Sequence, residues 1–242
     1  HVVGGAPPTP NHKFGWTMIA PWYSGRMPEN EMTIARVLQQ NGYVTGHSGK
    51  WHMAIDHKAF PQPEDQGFDW TRSSRGARSG MPNRVEGFAS TRVKDPYRLD
   101  ENGYPYHQTS EDALTFLREN HDKPFFLYYA TWLVHTPIHT RSEKLLEKYC
   151  KKLGVERPAD NQGWTKKGQN NPFYCAMVEE LDYYMGKVFN YLNNTEDPRW
   201  PGHKLVENTY VIFTSDNGGM EGHPREVITD NYPLDKGKIS LM

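Results

Sequence analysis

The sequence predicts an α/β fold with a central mixed, largely parallel sheet that is flanked by helices on both faces. Two continuous apolar runs have the length of strands, residues 124–130 and 208–215. Such runs are typical of central parallel strands that are buried on both faces. Segments with apolar residues at helical spacing alternate with these runs along the chain, and this alternation indicates the α/β class.

Three helices are predicted. Residues 32–41 carry apolar side chains at helical spacing and are followed by Gly42 as a C-terminal stop. The next helix begins at Thr109, which is suited to cap it with Asp112 as the capping-box partner. The longest helix spans 171–193 and has a single apolar stripe, which indicates one face packed on the core.

A further strand and a long surface segment complete the predicted organisation. Residues 43–48 directly follow the first helix and have the length of a short strand. Between residues 61 and 106 there is little periodicity, and Gly, Ser, Pro and Arg dominate. This composition predicts a long excursion over the surface.

Composition and charge exclude some classes of function. The formal net charge is −1, so no global field favours binding to nucleic acid. No apolar run reaches the roughly 20 residues that span a bilayer, so no membrane span is expected. The two cysteines, Cys150 and Cys175, form no metal-binding pattern, and they fit either two separate thiols or one bridge.

Three polar clusters follow the three predicted strands, residues 49–52, 135–137 and 216–219. Ligands of open α/β sheets bind beyond the carboxyl ends of the strands. The first cluster supplies a fixed positive charge and an imidazole, and the third supplies hard oxygen ligands suited to Ca²⁺ or Mg²⁺. Taken alone, the first cluster is usually a solvated loop, the second fits a polar strand end, and the third is better explained as an Asx turn. At three strand ends together, they predict an active site.

The same segments resemble the signatures of type I sulfatases, the formylglycine-dependent enzymes of the alkaline phosphatase superfamily. Residues 42–52 (GYVTGHSGKWH) resemble the stretch that leads into Gly-Lys-Trp-His, and 124–137 resemble the central strand and its catalytic histidine. Residues 208–219 (NTYVIFTSDNGG) are similar to the metal-binding strand. Residues 232–238 (YPLDKGK) resemble the segment that carries a sulfate-binding lysine. The order and spacing match over nearly the whole chain.

The resemblance implies hydrolysis of a sulfate ester and a catalytic role for four residues. Lys50 and Lys238 would clamp the sulfate and neutralise charge on its oxygens. His52 would contact the nucleophile and assist its regeneration. His135 would protonate the departing alcohol as general acid, with His139 as the alternative candidate.

The resemblance also implies a metal and a modified nucleophile. Asp216 and Asn217 would bind Ca²⁺, with Mg²⁺ as an alternative. The nucleophile of the family is formylglycine, made from Cys or Ser within Cys/Ser-x-Pro-x-Arg. Cys150 and Cys175 lack that context, so the nucleophile is expected upstream of residue 1. Residues 1–242 are then expected to be a sulfatase catalytic domain truncated at both ends, and the family implies a periplasmic, secreted or lysosomal location.

An arginine-rich segment suggests the substrate. Between residues 71 and 98 there are seven basic residues and two acidic ones. Arg72, Arg75, Arg78 and the loop residue His223 are candidate contacts for a sulfated carbohydrate, although a solvated surface explains the charges equally well. A small-molecule or oligosaccharide sulfate ester is the expected partner. The alternative functions are a phosphoesterase or phosphonate hydrolase of the same superfamily, and a non-catalytic sulfate-binding relative.

Overall fold

The computed structural model describes residues 26–53, 60–74, 87–159, 164–221, 227–234 and 237–238. The chain divides into two compact units. The first comprises His1–Met81, Thr109–Trp132 and Asp197–Pro201, and the second comprises Pro82–Gln108, Leu133–Glu196 and Gly202–Met242. The described part of the first unit contains the sheet, and that of the second is built on two long helices.

A parallel sheet of three strands, in the order β2-β1-β3, forms the first unit. The strands are β1 (Val44–Lys50), β2 (Trp70–Ser74) and β3 (Phe125–Ala130). Val44 pairs with Phe125 on one side of β1, and Gly46 pairs with Trp70 on the other. Because β1 has a neighbour on each side, its residues 45–49 are buried. The parallel sheet and the strands predicted at 43–48 and 124–130 are confirmed.

Helices lie on both faces of this sheet, as predicted. Helix α2 (Gln108–Asn120) covers one face, where the Ser48 hydroxyl donates to the Thr109 carbonyl at 2.8 Å. On that face a Cβ atom at Gly46 would come within 2.5 Å of the Phe116 ring. Helix α1 (Ile34–Gln40) is on the other face, where its Ala35 joins a buried cluster with Trp51 and Phe68.

His47 on β1 is part of the core. Its ring makes edge contacts with Trp51 and Phe68 at centroid distances of 5.2 and 5.3 Å. Burial lowers the pKa of His47 to about 4, against a smaller opposing effect of a hydrogen bond with the Lys50 backbone. This histidine is therefore neutral at physiological pH and serves packing.

The second unit packs α3 (Glu143–Leu153) against α4 (Pro172–Asn194). The Asn171 side chain caps α4 by accepting from the backbone N–H groups of Phe173 and Tyr174. The core of this unit contains mainly apolar side chains from both helices and from the chain after β3: Leu133, Ile138, Leu146, Cys150, Phe173, Met177, Tyr184 and Ile228. Helix α4 agrees with the prediction at 171–193, whereas α3 was not predicted.

Two features of the first part of the chain differ from the sequence predictions. β2 and buried residues such as Gln66 and Phe68 lie within the segment 61–106, which was predicted to be a surface excursion. Thr109 does not cap α2, because the helix begins at Gln108 and Thr109 is buried within it. Both errors have a tertiary cause, since β2 is held by its ladder with β1 and Thr109 by its contact with Ser48.

The strand predicted at 208–215 is not formed. A short 3₁₀ turn occupies Leu205–Asn208, and Tyr210, Ile212 and Phe213 are 100%, 86% and 70% exposed. A strand needs a neighbour to satisfy its N–H and C=O groups, and no strand pairs with this segment within the described ranges. For the same reason β3 is an edge strand of the described sheet, with Tyr128 48% exposed, and not the central strand predicted.

Both cysteines are free thiols, so the bridge between Cys150 and Cys175 that the sequence left open is not formed. Cys150 is buried in the core of the second unit, and burial raises its thiol pKa. No helix in the described part of the chain has the length and apolar character needed to cross a bilayer.

Glu180 on α4 is a carboxyl group buried in the second unit. It accepts a hydrogen bond from the Thr140 hydroxyl. Burial raises the pKa of Glu180 to about 7; the Thr140 hydrogen bond and the Arg141 charge oppose this shift, and the Glu179 charge adds to it. The core of this unit therefore contains a group that titrates near neutral pH.

We expect Glu180 to make the protein less stable as the pH rises from 4.5 to about 7. Its folded-state pKa is raised, so the folded state retains the proton that the unfolded state loses, and the difference corresponds to roughly 3 kcal/mol. The Glu180→Gln variant should flatten this part of the stability profile, measured by urea unfolding at pH 5 and pH 7.5. Glu119→Gln, an exposed change on α2, is the matched control. An unchanged slope in Glu180→Gln would contradict the assignment.

Candidate active site

The carboxyl end of β1 presents Lys50 and His52 on either side of a buried tryptophan. Trp51 is 5% exposed, and its indole N–H donates to the Pro61 carbonyl at 2.9 Å. Lys50 is half-buried and His52 is exposed. The Lys50 Nζ lies 5.3 Å from the centre of the Trp132 ring, a cation–π contact that limits its freedom. The anchored Trp51 thus directs its two polar neighbours out of the core.

Gly49 fixes the backbone just before Lys50. Its φ angle is +106°, and a Cβ atom there would lie 2.0 Å from the Ala130 carbonyl oxygen. Only glycine allows both the positive φ and this close approach of β1 to β3. The glycine of the Gly-Lys-Trp-His segment is therefore required by the path of the chain.

His135 lies on the loop that follows β3 into the second unit. Leu133 and Ile138 on either side of it are buried in the core, so the loop is anchored at both ends. The His135 Nδ1 lies 2.8 Å from the Thr136 carbonyl oxygen. Because a carbonyl oxygen only accepts, Nδ1 carries the hydrogen, and Nε2 is the ring atom left for chemistry.

Lys238 contacts this histidine. Its Nζ lies 3.4 Å from the His135 Nε2, which is within hydrogen-bond distance. The backbone of Lys238 is held beside the 216–219 turn, because its N–H donates to the Gly219 carbonyl at 2.9 Å and Met220 pairs with it in a parallel bridge. Two of the predicted site residues are thereby brought together in the second unit.

Asp216 and Asn217 lie on an exposed turn of the same unit. The Ser215 hydroxyl donates to the Asn217 carbonyl at 2.6 Å and stabilises this turn. A carboxylate and an amide oxygen are hard ligands that suit Ca²⁺, which takes about 6–8 oxygens. Within the described ranges no group of three or more His, Cys, Asp or Glu side chains could hold a metal. The side chains of Asp216 and Asn217 could supply two of the oxygens that a calcium ion needs.

The structure describes two of the other predicted site residues, Arg72 and His139, and not the remaining three. Arg72 is exposed on β2, with its guanidinium 5.0 Å from the Trp70 ring centre. Arg75, Arg78 and His223 lie outside the described residues. His139 packs between Phe88 and Phe173, and its Nε2 lies 3.2 Å from the Gly87 carbonyl oxygen. His139 is thus packed against two aromatic rings in the second unit.

Sequence reasoning missed three residues that shape these sites. Trp132 lies against Lys50, and an aromatic residue two positions after an apolar strand is a signal that could have suggested it. Asn231 and Glu221 hydrogen-bond with each other next to Gly219. Asn231 precedes Tyr-Pro in a segment that reads only as a turn, so no local signal indicates its long-range contacts.

Comparisons with known proteins agree with these motifs. A family model described as Sulfatase matches residues 8–239. An arylsulfatase from Hemicentrotus pulcherrimus is 30% identical over 90% of this chain and 37% of its own length. The N-acetylgalactosamine-6-sulfatase of Homo sapiens is 26% identical over 88% of the chain and 38% of its own length. The chain thus spans less than two fifths of these relatives.

A solved structure supports the fold. The crystal structure of Ps i-CgsB in complex with k-i-k-neocarrahexaose superposes with a TM-score of 0.55 at 24% identity. The superposition covers 87% of this chain and 44% of that one, which agrees with an alkaline phosphatase-like sheet flanked by helices. With a family model that matches nearly every residue, the conclusion is plain: the chain belongs to the sulfatase family.

Proposed function

We propose that this chain is part of the catalytic domain of an enzyme that hydrolyses the sulfate ester of a carbohydrate. The observation that carries the proposal is the 3.4 Å contact between the His135 Nε2 and the Lys238 Nζ. This contact supports the proposal because it joins an imidazole to a lysine ammonium, and the Lys238 backbone bonds to Gly219 at the end of the turn that holds Asp216 and Asn217. Membership of the sulfatase family supports the same reaction.

Lys238 and His135 have complementary roles in this proposal. The Lys238 ammonium offsets negative charge on the sulfate oxygens, which increases as the ester bond breaks. His135, protonated at Nε2, delivers that proton to the oxygen of the departing alcohol. The bond from Nδ1 to the Thr136 carbonyl keeps the ring oriented with Nε2 toward the reaction.

The other motif residues have roles in this proposal that follow from the family resemblance. Lys50, held against Trp132, would contribute a second cation for the sulfate, and His52 would contact a formylglycine nucleophile. Asp216 and Asn217 would hold a divalent cation, and bound Ca²⁺ supplies Lewis-acid polarisation of the sulfate oxygens.

A sulfated glycan is the proposed substrate. The Arg72 side chain is exposed on β2, which ends at Ser74 directly opposite Lys50 in the parallel ladder. Basic side chains at this end of the sheet would attract a polyanion. Two similar proteins have names that include such molecules, an N-acetylgalactosamine-6-sulfatase and the structure with neocarrahexaose.

The test compares substrates in the full-length protein that contains this chain. We expect kcat/KM to be higher for a sulfated oligosaccharide than for an aryl sulfate with one sulfate group, and lowest for the matching aryl phosphate. Added salt should narrow the gap between the two sulfate esters, because the field of the arginines is screened over roughly 8–10 Å. The measurement is kcat/KM for the three substrates at low and high salt.

The control is a matched pair of variants. The combined change Arg72→Ala, Arg75→Ala and Arg78→Ala should remove the salt-dependent advantage of the oligosaccharide, whereas Arg118→Ala on α2 should not. Identical salt dependence in wild type and the triple variant would contradict the glycan preference. A faster reaction with the aryl phosphate would instead contradict the sulfatase proposal.

A further inference from the structure

The Asn231 side chain binds both backbone groups of Gly219. Its Oδ1 accepts from the Gly219 N–H at 2.9 Å, and its Nδ2 donates to the Gly219 carbonyl at 3.1 Å. The side chain thus satisfies the same N–H and C=O groups that a neighbouring strand satisfies in a sheet. Gly219 ends the turn that carries Asp216 and Asn217, so the side chain holds this turn from its C-terminal end.

Glu221 completes the arrangement. Its Oε2 accepts from the Asn231 Nδ2 at 2.9 Å and from the Asn231 backbone N–H at 3.2 Å. Both residues are half-buried, so these hydrogen bonds are partly shielded from water. The contacts need an amide at position 231, because only Asn or Gln presents an acceptor and two donors from one planar group.

Lys238 depends on the same Gly219 carbonyl. That oxygen accepts from the Lys238 N–H at 2.9 Å as well as from Asn231. A Cβ atom at Gly237 would lie 1.9 Å from this oxygen and 2.3 Å from the Asn231 Nδ2, so the chain before Lys238 has no room to shift toward Asn231. The backbone of Lys238 is thus placed by contacts in which Asn231 takes part.

We propose that Asn231 and Glu221 form a positioning pair. The pair fixes the position of the Lys238 backbone and thereby keeps the Lys238 ammonium beside His135. The proposal rests on the proposed function, in which Lys238 binds the sulfate group. The pair does not touch substrate. It holds the Gly219 carbonyl in place, and this carbonyl accepts a hydrogen bond from the Lys238 backbone. The Lys238 Nζ is thereby kept 3.4 Å from the His135 Nε2.

The first test is Asn231→Asp in the full-length protein. The new carboxylate faces both the Gly219 carbonyl and the Glu221 carboxylate, so the pair should come apart by repulsion. We expect exchange of the Lys238 amide hydrogen to increase about tenfold, because its hydrogen bond opens more often. We expect kcat/KM to fall about 100-fold, the order of loss for a misplacement of about 1 Å. Asn194→Asp, an exposed change at the end of α4, should alter neither value.

A second change gives a rescue that a general loss of stability would not show. Glu221→Gln in the Asn231→Asp background replaces the repelling carboxylate with an amide that can donate to it, and should recover about tenfold in kcat/KM. Glu221→Gln alone should cause a smaller increase in amide exchange. If Asn231→Asp fails to fold, this single variant and its exchange rate still test the pair.

A double-mutant cycle with Lys238 decides whether Asn231 acts through that lysine. In the Lys238→Ala background, Asn231→Asp should lower kcat/KM by less than about threefold, because coupled residues are not additive. A full 100-fold loss in both backgrounds would overturn the proposal, as would unchanged exchange at Lys238. If Lys238→Ala by itself has no effect on activity, the proposed function fails, and the exchange rates still report on the pair independently.

Discussion

Replacing His135 with Asn should lower kcat by about 10²–10⁴ on substrates in which the sulfate is esterified to a sugar hydroxyl group. An alcohol leaves as a strongly basic alkoxide unless a proton reaches its oxygen during the reaction. The His135 Nε2 is the ring atom available for that transfer, because Nδ1 is bound to the Thr136 carbonyl. Asn keeps the polarity at this position and removes the proton donor.

How the loss of kcat depends on the leaving group distinguishes a general acid from a residue that only supports the structure. With 4-nitrophenyl sulfate the leaving group needs little protonation, so we expect the loss in kcat to shrink to within about tenfold. The measurement is kcat for both substrates in the full-length protein. Equal losses on the two would show that His135 does not act as the general acid.

His139→Asn is the matched control for this experiment. His139 packs between Phe88 and Phe173, so its replacement should lower stability and leave the leaving-group dependence as in wild type. If the kcat of His139→Asn fell on sugar sulfates alone, the result would indicate that His139, and not His135, is the general acid.

The second large effect is expected at Lys238. Lys238→Ala should lower kcat/KM by about 10²–10³, because it removes the cation that we propose to offset the charge that develops on the sulfate oxygens. Inhibition by inorganic sulfate should weaken in parallel, since the same ammonium would bind the free anion. The two measurements are kcat/KM with a sulfated substrate and the inhibition constant of inorganic sulfate.

Lys204→Ala provides the control for Lys238. Lys204 is a surface lysine paired with Glu196 in the same unit, so the variant loses the same charge from a different contact. It should change neither value by more than about twofold. Normal sulfate inhibition in Lys238→Ala would show that the ammonium does not bind the anion.

Local patterns in the sequence were enough to predict the elements whose own residues carry a clear signal. Helix α4 was predicted from the apolar periodicity of residues 171–193, β3 from a continuous apolar run, and β1 from its length and its position directly after the first helix. The Gly-Lys-Trp-His segment was identified because its residues are contiguous. Its physical basis is local too, since Gly49 is required by its backbone angle and Trp51 is buried between its two polar neighbours.

Tertiary structure alone decided the elements that depend on a distant partner. β2 exists because β1 pairs with it, and residues 208–215 form no strand in the described structure although their composition suits one. Lys238 meets His135 across 103 positions, and Asn231 reaches back 12 positions to Gly219. A hydrogen bond between distant residues has no periodic signature, because its free energy depends on which groups the fold brings within about 3 Å.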